Sequence, residues 1–172
     1  MIYPGIWPQF FTATIHNWNH LLKSDEYKNI ITNCLKFLVD DKRIELTGFV
    51  VMSNHVHIIW QPLQHNTLSQ VQTSFMTQTA RSIKKKLLKE NPDLLETLKV
   101  NKYDRACQIW KREPLSVELF TEKVFFQKLE YLHQNPCVAG LVNLPEDYYF
   151  SSAKFYQSGI DDFEMLTHYS GN

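Results

Sequence analysis

An antiparallel β-sheet faced by helices, with one more helix near the C-terminal end, is the α+β architecture expected of this 172-residue chain. Three observations point to it. Segments with strand and helix periodicity alternate as strand, helix, strand, strand, helix, strand, helix. Only Ser53 and Asn54 separate the second strand from the third, a spacing that suits a tight antiparallel hairpin. An apolar content of 44% with only 5 Gly and 7 Pro belongs to a folded chain, and the length suits one domain with a sizeable core.

The elements follow from local pattern. QFFTATI (residues 9–15) is aromatic and β-branched and reads as a strand. From Ser24 to Asp41, Tyr27, Ile30, Ile31, Cys34, Leu35 and Leu38 recur at helical spacing, with Ser24 or Asp25 suited to the N-cap. Residues 44–52 form the second strand and 55–61 the third, which Pro62 closes. A long helix is expected over 68–89, burying Leu68, Val71, Phe75, Ile83 and Leu87 and stopped by Asn91-Pro92. Asp93 to Val100 suits a short extra helix, and strand segments at 108–111 and 116–120 are broken by Pro114. Thr121 caps the last long helix, which is expected to end at Asn135 because Pro136 disfavours α geometry in the residue before it. The aromatic, acidic tail shows no regular pattern. The βαββαβ portion is the ferredoxin-like order. No repeat or linker divides the chain, so residues 1–172 read as one domain, with a core over about 9–142 and a tail over 143–172.

Charge is balanced overall, with 18 basic and 18 acidic side chains, but unevenly spread. From Arg81 to Arg112 ten basic residues face four acidic ones, whereas 144–172 holds one lysine and five acids. A neutral total can thus conceal a basic face. Three widely spaced cysteines without C-x-x-C fit a reducing compartment. The opening MIYPGIWPQF lacks the pattern of a signal peptide, and no apolar run is long enough for a membrane span, so a soluble cytoplasmic protein is expected.

The chemistry concentrates in two places. His55 and His57 lie two apart on a strand, so both imidazoles project from one face together with Ile59, while Val56, Ile58 and Trp60 point the other way. Tyr131 and Asn135 lie four apart on the last helix, on its more polar side with Gln127 and Lys128; Phe125, Phe126, Leu129 and Leu132 supply the apolar side. Laid together, the segments offer two imidazoles, an amide oxygen and a phenol around one point. Burying two histidines without a partner is costly, and a divalent cation shared between them is an economical answer. Each residue also has a plainer use: tyrosines pack with one wet end, and an asparagine at a helix end is often a cap. His133 lies on another side of the helix from Asn135. His16 and His20 would face one another only on a helix, and their segment reads as strand into loop.

The run RSIKKKLLKE places Arg81, Lys84, Lys85 and Lys86 on the outside of the long helix, with Lys102, Arg105, Lys111 and Arg112 following. Such runs are commonly solvated helix faces; beside a cation site with a phenol next to it they would suit phosphate binding. Trp110 and Tyr103 suit base stacking, and Trp110 equally suits the core.

HVH after a hydrophobic strand, followed by YLHQNPCVAGLV and PEDYYFSS, resembles the single-tyrosine HUH transposases of bacterial insertion sequences, and most of all their REP-associated tyrosine transposase branch. The resemblance spans about residues 9–156. It implies that His55 and His57 bind a divalent cation, Mg²⁺ or Mn²⁺, with Asn135 as third ligand. It implies that Tyr131 attacks single-stranded or hairpin DNA to leave a 5′-phosphotyrosine, and that the protein works in the bacterial cytoplasm at the nucleoid. Monomers and homodimers both occur in the family. Two departures concern sequence at the motifs: Ser53 replaces a proline common before N-H-x-H, and EPLSVELF lacks a histidine often found there. A third is an enlarged connection over 92–106. Two other readings remain open at this point, a domesticated hairpin-DNA binder without transposition and a metal-dependent hydrolase that uses water.

Overall fold

The computed structural model describes residues 7–63, 65–99 and 107–170. Four strands form one antiparallel sheet: β1 (Gln9–Thr14), β2 (Ile44–Val51), β3 (His55–Pro62) and β4 (Leu115–Glu118), in the order β2-β3-β1-β4. That is the ferredoxin-like order. Helices α1 (Asp25–Asp40) and α2 (Leu68–Glu90) cover one face. Phe11, Val56, Ile58 and Trp60 point into this layer and pack with Leu35, Leu38, Val71 and Phe75. Helix α4 (Glu122–Val138) covers the other face, where Phe10, Val50 and Ile59 meet Phe125, Leu129 and Leu132. Period-2 alternation therefore serves two cores from one sheet.

Local chemistry explains most boundaries. Thr67 and Gln70 form a reciprocal capping box at the start of α2. Its buried stripe is Val71, Phe75, Thr79, Ile83 and Leu87; Leu68, expected in that stripe, is only half-buried. Ser24 holds the N-cap position of α1 without a side-chain cap bond. The short helix α3 spans Pro92–Thr97, earlier than the expected 93–100, because Asn91 caps it through Leu94 N–H and Pro92 occupies its first position.

Three expectations need correction. The last helix does not stop at Asn135 but runs through Pro136 to Val138. Proline removes one donor, yet it sits in the final turn and is buried, and bonding resumes with Ala139 N–H donating to the Asn135 carbonyl (3.0 Å). Residues 108–111 form no strand; they contribute an isolated bridge between Trp110 and Ile15. The tail is ordered. It contains α5 (Ala153–Ser158) and lies along β2, an edge of the sheet, through Val51 N–H to Phe150 O (2.9 Å), Ser152 N–H to Phe49 O (2.9 Å) and Thr167 N–H to Leu46 O (2.9 Å). An edge strand exposes unpaired backbone groups, and the tail supplies partners for them.

Gly48 lets α4 approach this closely. A Cβ there would lie 2.8 Å from Leu129 Cδ1, beside the register shift at Leu46/Gly48. Ser152 adds a polar tie: its hydroxyl accepts from Phe49 N–H (3.0 Å) and meets His133 Nε2 at 2.8 Å.

Candidate active site

His55 opens β3 directly after the Ser53-Asn54 turn, and His57 follows on the same face, opposite Thr12 in the register with β1. On α4, Tyr131 and Asn135 face this point. The His55 and His57 ring centroids are 4.8 Å apart, and the Tyr131 ring lies 5.4 Å from His57. Asn135 Oδ1 is 3.2 Å from His55 Nε2. The four side chains singled out by periodicity thus converge.

Supporting contacts orient them. His55 Nδ1 lies 2.7 Å from Asn54 Oδ1 and Nε2 lies 3.2 Å from Asn135 Oδ1. Both oxygens accept and a neutral ring has one N–H; the shorter contact favours the proton on Nδ1, which leaves a lone pair on Nε2. His57 Nδ1 is held by the Thr12 hydroxyl at 2.7 Å, leaving Nε2 as its remaining ring nitrogen, and the ring stacks on Phe10 at 5.2 Å. Asn135 Nδ2 donates to the Tyr131 carbonyl (3.3 Å), which turns Oδ1 toward His55.

Burial dominates the electrostatics. It lowers the proton affinity of His55, opposed in part by the contact with Asn135. It pushes His57 down to about 3, helped by the charges of His55 and Lys128. Both rings are therefore neutral near pH 7, the form that ligates metals. The donor set fits a cation: with Nδ1 protonated, His55 Nε2 and Asn135 Oδ1 oppose two lone pairs at 3.2 Å, an arrangement a shared positive ion relieves. Among the described residues no three His, Cys, Asp or Glu side chains converge; the oxygen that meets His55 here is the Asn135 amide.

Tyr131 is 53% exposed, with its ring edge-on to Phe10 at 6.1 Å. Lys128 places its Nζ 5.1 Å from the Phe10 centroid and 5.7 Å from that of Tyr131. Period-2 and i,i+4 spacing found His55, His57, Tyr131 and Asn135. Thr12, Phe10 and the role of Asn54 in fixing a tautomer escaped it; the N-H-x-H pattern was a usable signal for Asn54 alone. His133 is engaged with Ser152 on another side of α4, and His20 Nδ1 contacts Ser53 Oγ at 2.7 Å.

The basic residues divide. Arg81, Lys84, Lys111 and Arg112 line a groove of about 760 Å³ between α2 and residues 107–114. Lys85 is exposed on the same helix. Lys86 is held by Glu26 and Glu90, each at 2.6 Å, and so lies toward α1, with its charge compensated. Lys102, Tyr103 and Arg105 lie outside the described residues. Trp110 is a core residue, 6% exposed, its indole N–H donating to Thr79 Oγ1 (2.9 Å), which removes it from base stacking.

Comparison with known proteins gives a consistent picture. Residues 11–127 match the protein family described as transposase IS200-like. Among solved structures, a REP-associated tyrosine transposase bound to a REP hairpin is similar at a TM-score of 0.66 and 19% identity, over 96% of this chain and 90% of that one. A putative transposase from Deinococcus radiodurans R1 is similar at a TM-score of 0.50 and 12% identity, over 78% of this chain and 95% of the other. At such identities these likenesses concern the fold. A search of curated proteins finds no match.

Proposed function

The chain belongs to the IS200-like transposase family, and on that premise we propose that it cleaves and rejoins single-stranded DNA beside a hairpin, through a covalent link to Tyr131. The observation that carries this reading is the convergence of Tyr131 with His55, His57 and Asn135 across the interface between α4 and the sheet. Tyr131 Oη attacks the scissile phosphorus as its proton leaves to solvent, the P–O3′ bond breaks, and the departing 3′ oxygen takes a proton. The product is a 5′-phosphotyrosine that keeps the bond energy needed for rejoining.

His55, His57 and Asn135 would hold a divalent cation, Mg²⁺ or Mn²⁺. When bound, it supplies Lewis-acid polarisation of the phosphate and stabilises charge on the leaving oxygen. The chain's own part is positional. Thr12 and Asn54 fix the imidazole orientations, burial keeps both rings unprotonated, and Phe10 forms the wall on which His57 stacks.

Arg81, Lys84, Lys85, Lys111 and Arg112 form the proposed phosphate-binding surface, and Lys86 is left out of it because two carboxylates already neutralise it. Pro114 at the end of this groove leads into β4, which pairs with β1, the strand of Phe10 and Thr12. A duplex seated in the groove could pass its single-stranded flank around that edge to the site. The solved REP-associated relative, bound to a REP hairpin, supports a hairpin as the ligand class.

The test is a DNA oligonucleotide carrying the inverted repeat that flanks the gene, incubated with Mn²⁺. The wild type should give an SDS-resistant protein–DNA adduct and Tyr131→Phe none. Cleavage retained by Tyr131→Phe would establish a water-using hydrolase instead. Hairpin affinity with no adduct would establish a binding protein.

A further inference from the structure

We propose that Lys128 is a catalytic residue, its ammonium pairing with a non-bridging oxygen of the scissile phosphate while Tyr131 attacks. This rests on the strand-cleavage reading above and adds a residue to it. Lys128 lies one helical turn before Tyr131 on α4, so the two share a face. Its Nζ sits over the Phe10 ring at 5.1 Å and near the Tyr131 ring at 5.7 Å, and Phe10 in turn stacks on His57. The ammonium is thus held at the mouth of the site by the same aromatic wall that supports the imidazoles.

Its charge is uncompensated there. Among the described residues the ion pairs use Lys28, Lys36, Lys86, Lys99 and Lys154, and none involves Lys128. Cation–π contact with the two rings would by itself explain a packing role. It does not explain why a bare cation should face two neutral imidazoles and an amide oxygen, a set suited to a second cation. Two like charges facing one another across the site would repel. An anion placed between them turns that repulsion into two attractions. A phosphodiester in line with Tyr131 is such an anion, and the charge on its non-bridging oxygens persists through phosphoryl transfer. In this role Lys128 donates a hydrogen bond and transfers no proton.

The reactive probe is thymidine 5′-(4-nitrophenyl phosphate), in which nitrophenolate stands in for the departing 3′ oxygen. Its uncharged counterpart carries a methylphosphonate in place of the phosphate. With Mn²⁺, wild-type protein should release one equivalent of nitrophenolate from the charged ester while Tyr131→Phe releases none. Lys128→Met should slow that burst about 10²-fold, the scale of losing one charge-stabilising donor. Lys128→Arg should restore most of it, and on the neutral ester the loss caused by Lys128→Met should shrink toward unity. A Tyr131-dependent burst that Lys128→Met leaves unchanged, or an equal loss on both esters, overturns the assignment of Lys128 alone. A wild-type protein that labels no tyrosine overturns the cleavage reading and this assignment with it.

Discussion

Asn54 and Thr12 each hold one imidazole by a 2.7 Å contact at Nδ1, and neither is a donor to the proposed cation. Residues in that position set the tautomer and aim of a ligand, and their loss typically weakens metal affinity 10–100-fold. Thr12→Val and Asn54→Ala should therefore each lower Mn²⁺ affinity by about that factor, measured by calorimetry, while the melting temperature moves little. His133 makes a second prediction. Burial pushes it down to about 4, and an unfolded histidine titrates near 6.5. The folded state thus binds fewer protons than the unfolded state between those values. Stability should be full above about pH 6.5 and fall as pH drops toward 4, with His57 acting in the same direction. Urea midpoints taken across that window should show the decline, and His133→Asn should reduce it. The pairing of His55 with His57, and of Tyr131 with Asn135, on shared faces was legible because strand and helix periods act within one segment. Thr12 was not, since its partnership with His57 depends on a cross-strand register that no local pattern encodes.

Helix α4 carries Tyr131, Asn135 and Lys128, so its seating on the sheet governs the site. Gly48 permits that seating. Gly48→Ala would bring a methyl to 2.8 Å from Leu129 Cδ1, the free end of a side chain, so either Leu129 turns, which its burial at 4% exposure restricts, or α4 moves. Overpacking of this kind costs about 1–3 kcal/mol, so the variant should melt earlier. Adduct formation should fall further than stability alone requires, because the shift moves Tyr131 away from the imidazoles; rates measured well below the melting transition check this. The strands and first two helices were readable from sequence because their apolar periods agree with caps and turns. The misreadings share a cause. Pro136 disfavours α geometry in the residue before it, yet burial of its ring and the bond from Ala139 carry the helix onward. The tail showed no period because its order comes from pairing along β2, through Phe150, Ser152 and Thr167, rather than from an amphipathic face of its own.

Across the whole molecule, a net charge of zero conceals a basic groove that α2 and residues 107–114 build together. Sequence located the cations but not their grouping. Lys86 stood in the run with Arg81 and Lys84, and only the packing of α1 against α2 brings Glu26 to it. If the groove binds phosphates, affinity for hairpin DNA should fall with salt, and Lys84→Ala or Arg112→Ala should each reduce the log–log slope by about 1. Lys86→Ala should leave the slope nearly unchanged, a contrast that fluorescence anisotropy across a salt series would reveal. The sheet separates this groove from the site on its other face, with β4 and β1 between them, so the proposed hairpin recognition and strand cleavage would use distinct surfaces of one small fold. Their union depends on which side chain becomes bonded to DNA. Mass spectrometry of the digested protein–DNA adduct decides that directly: a nucleotide attached through its 5′ phosphate to Tyr131 is the expected result, and attachment to any other residue would contradict the account.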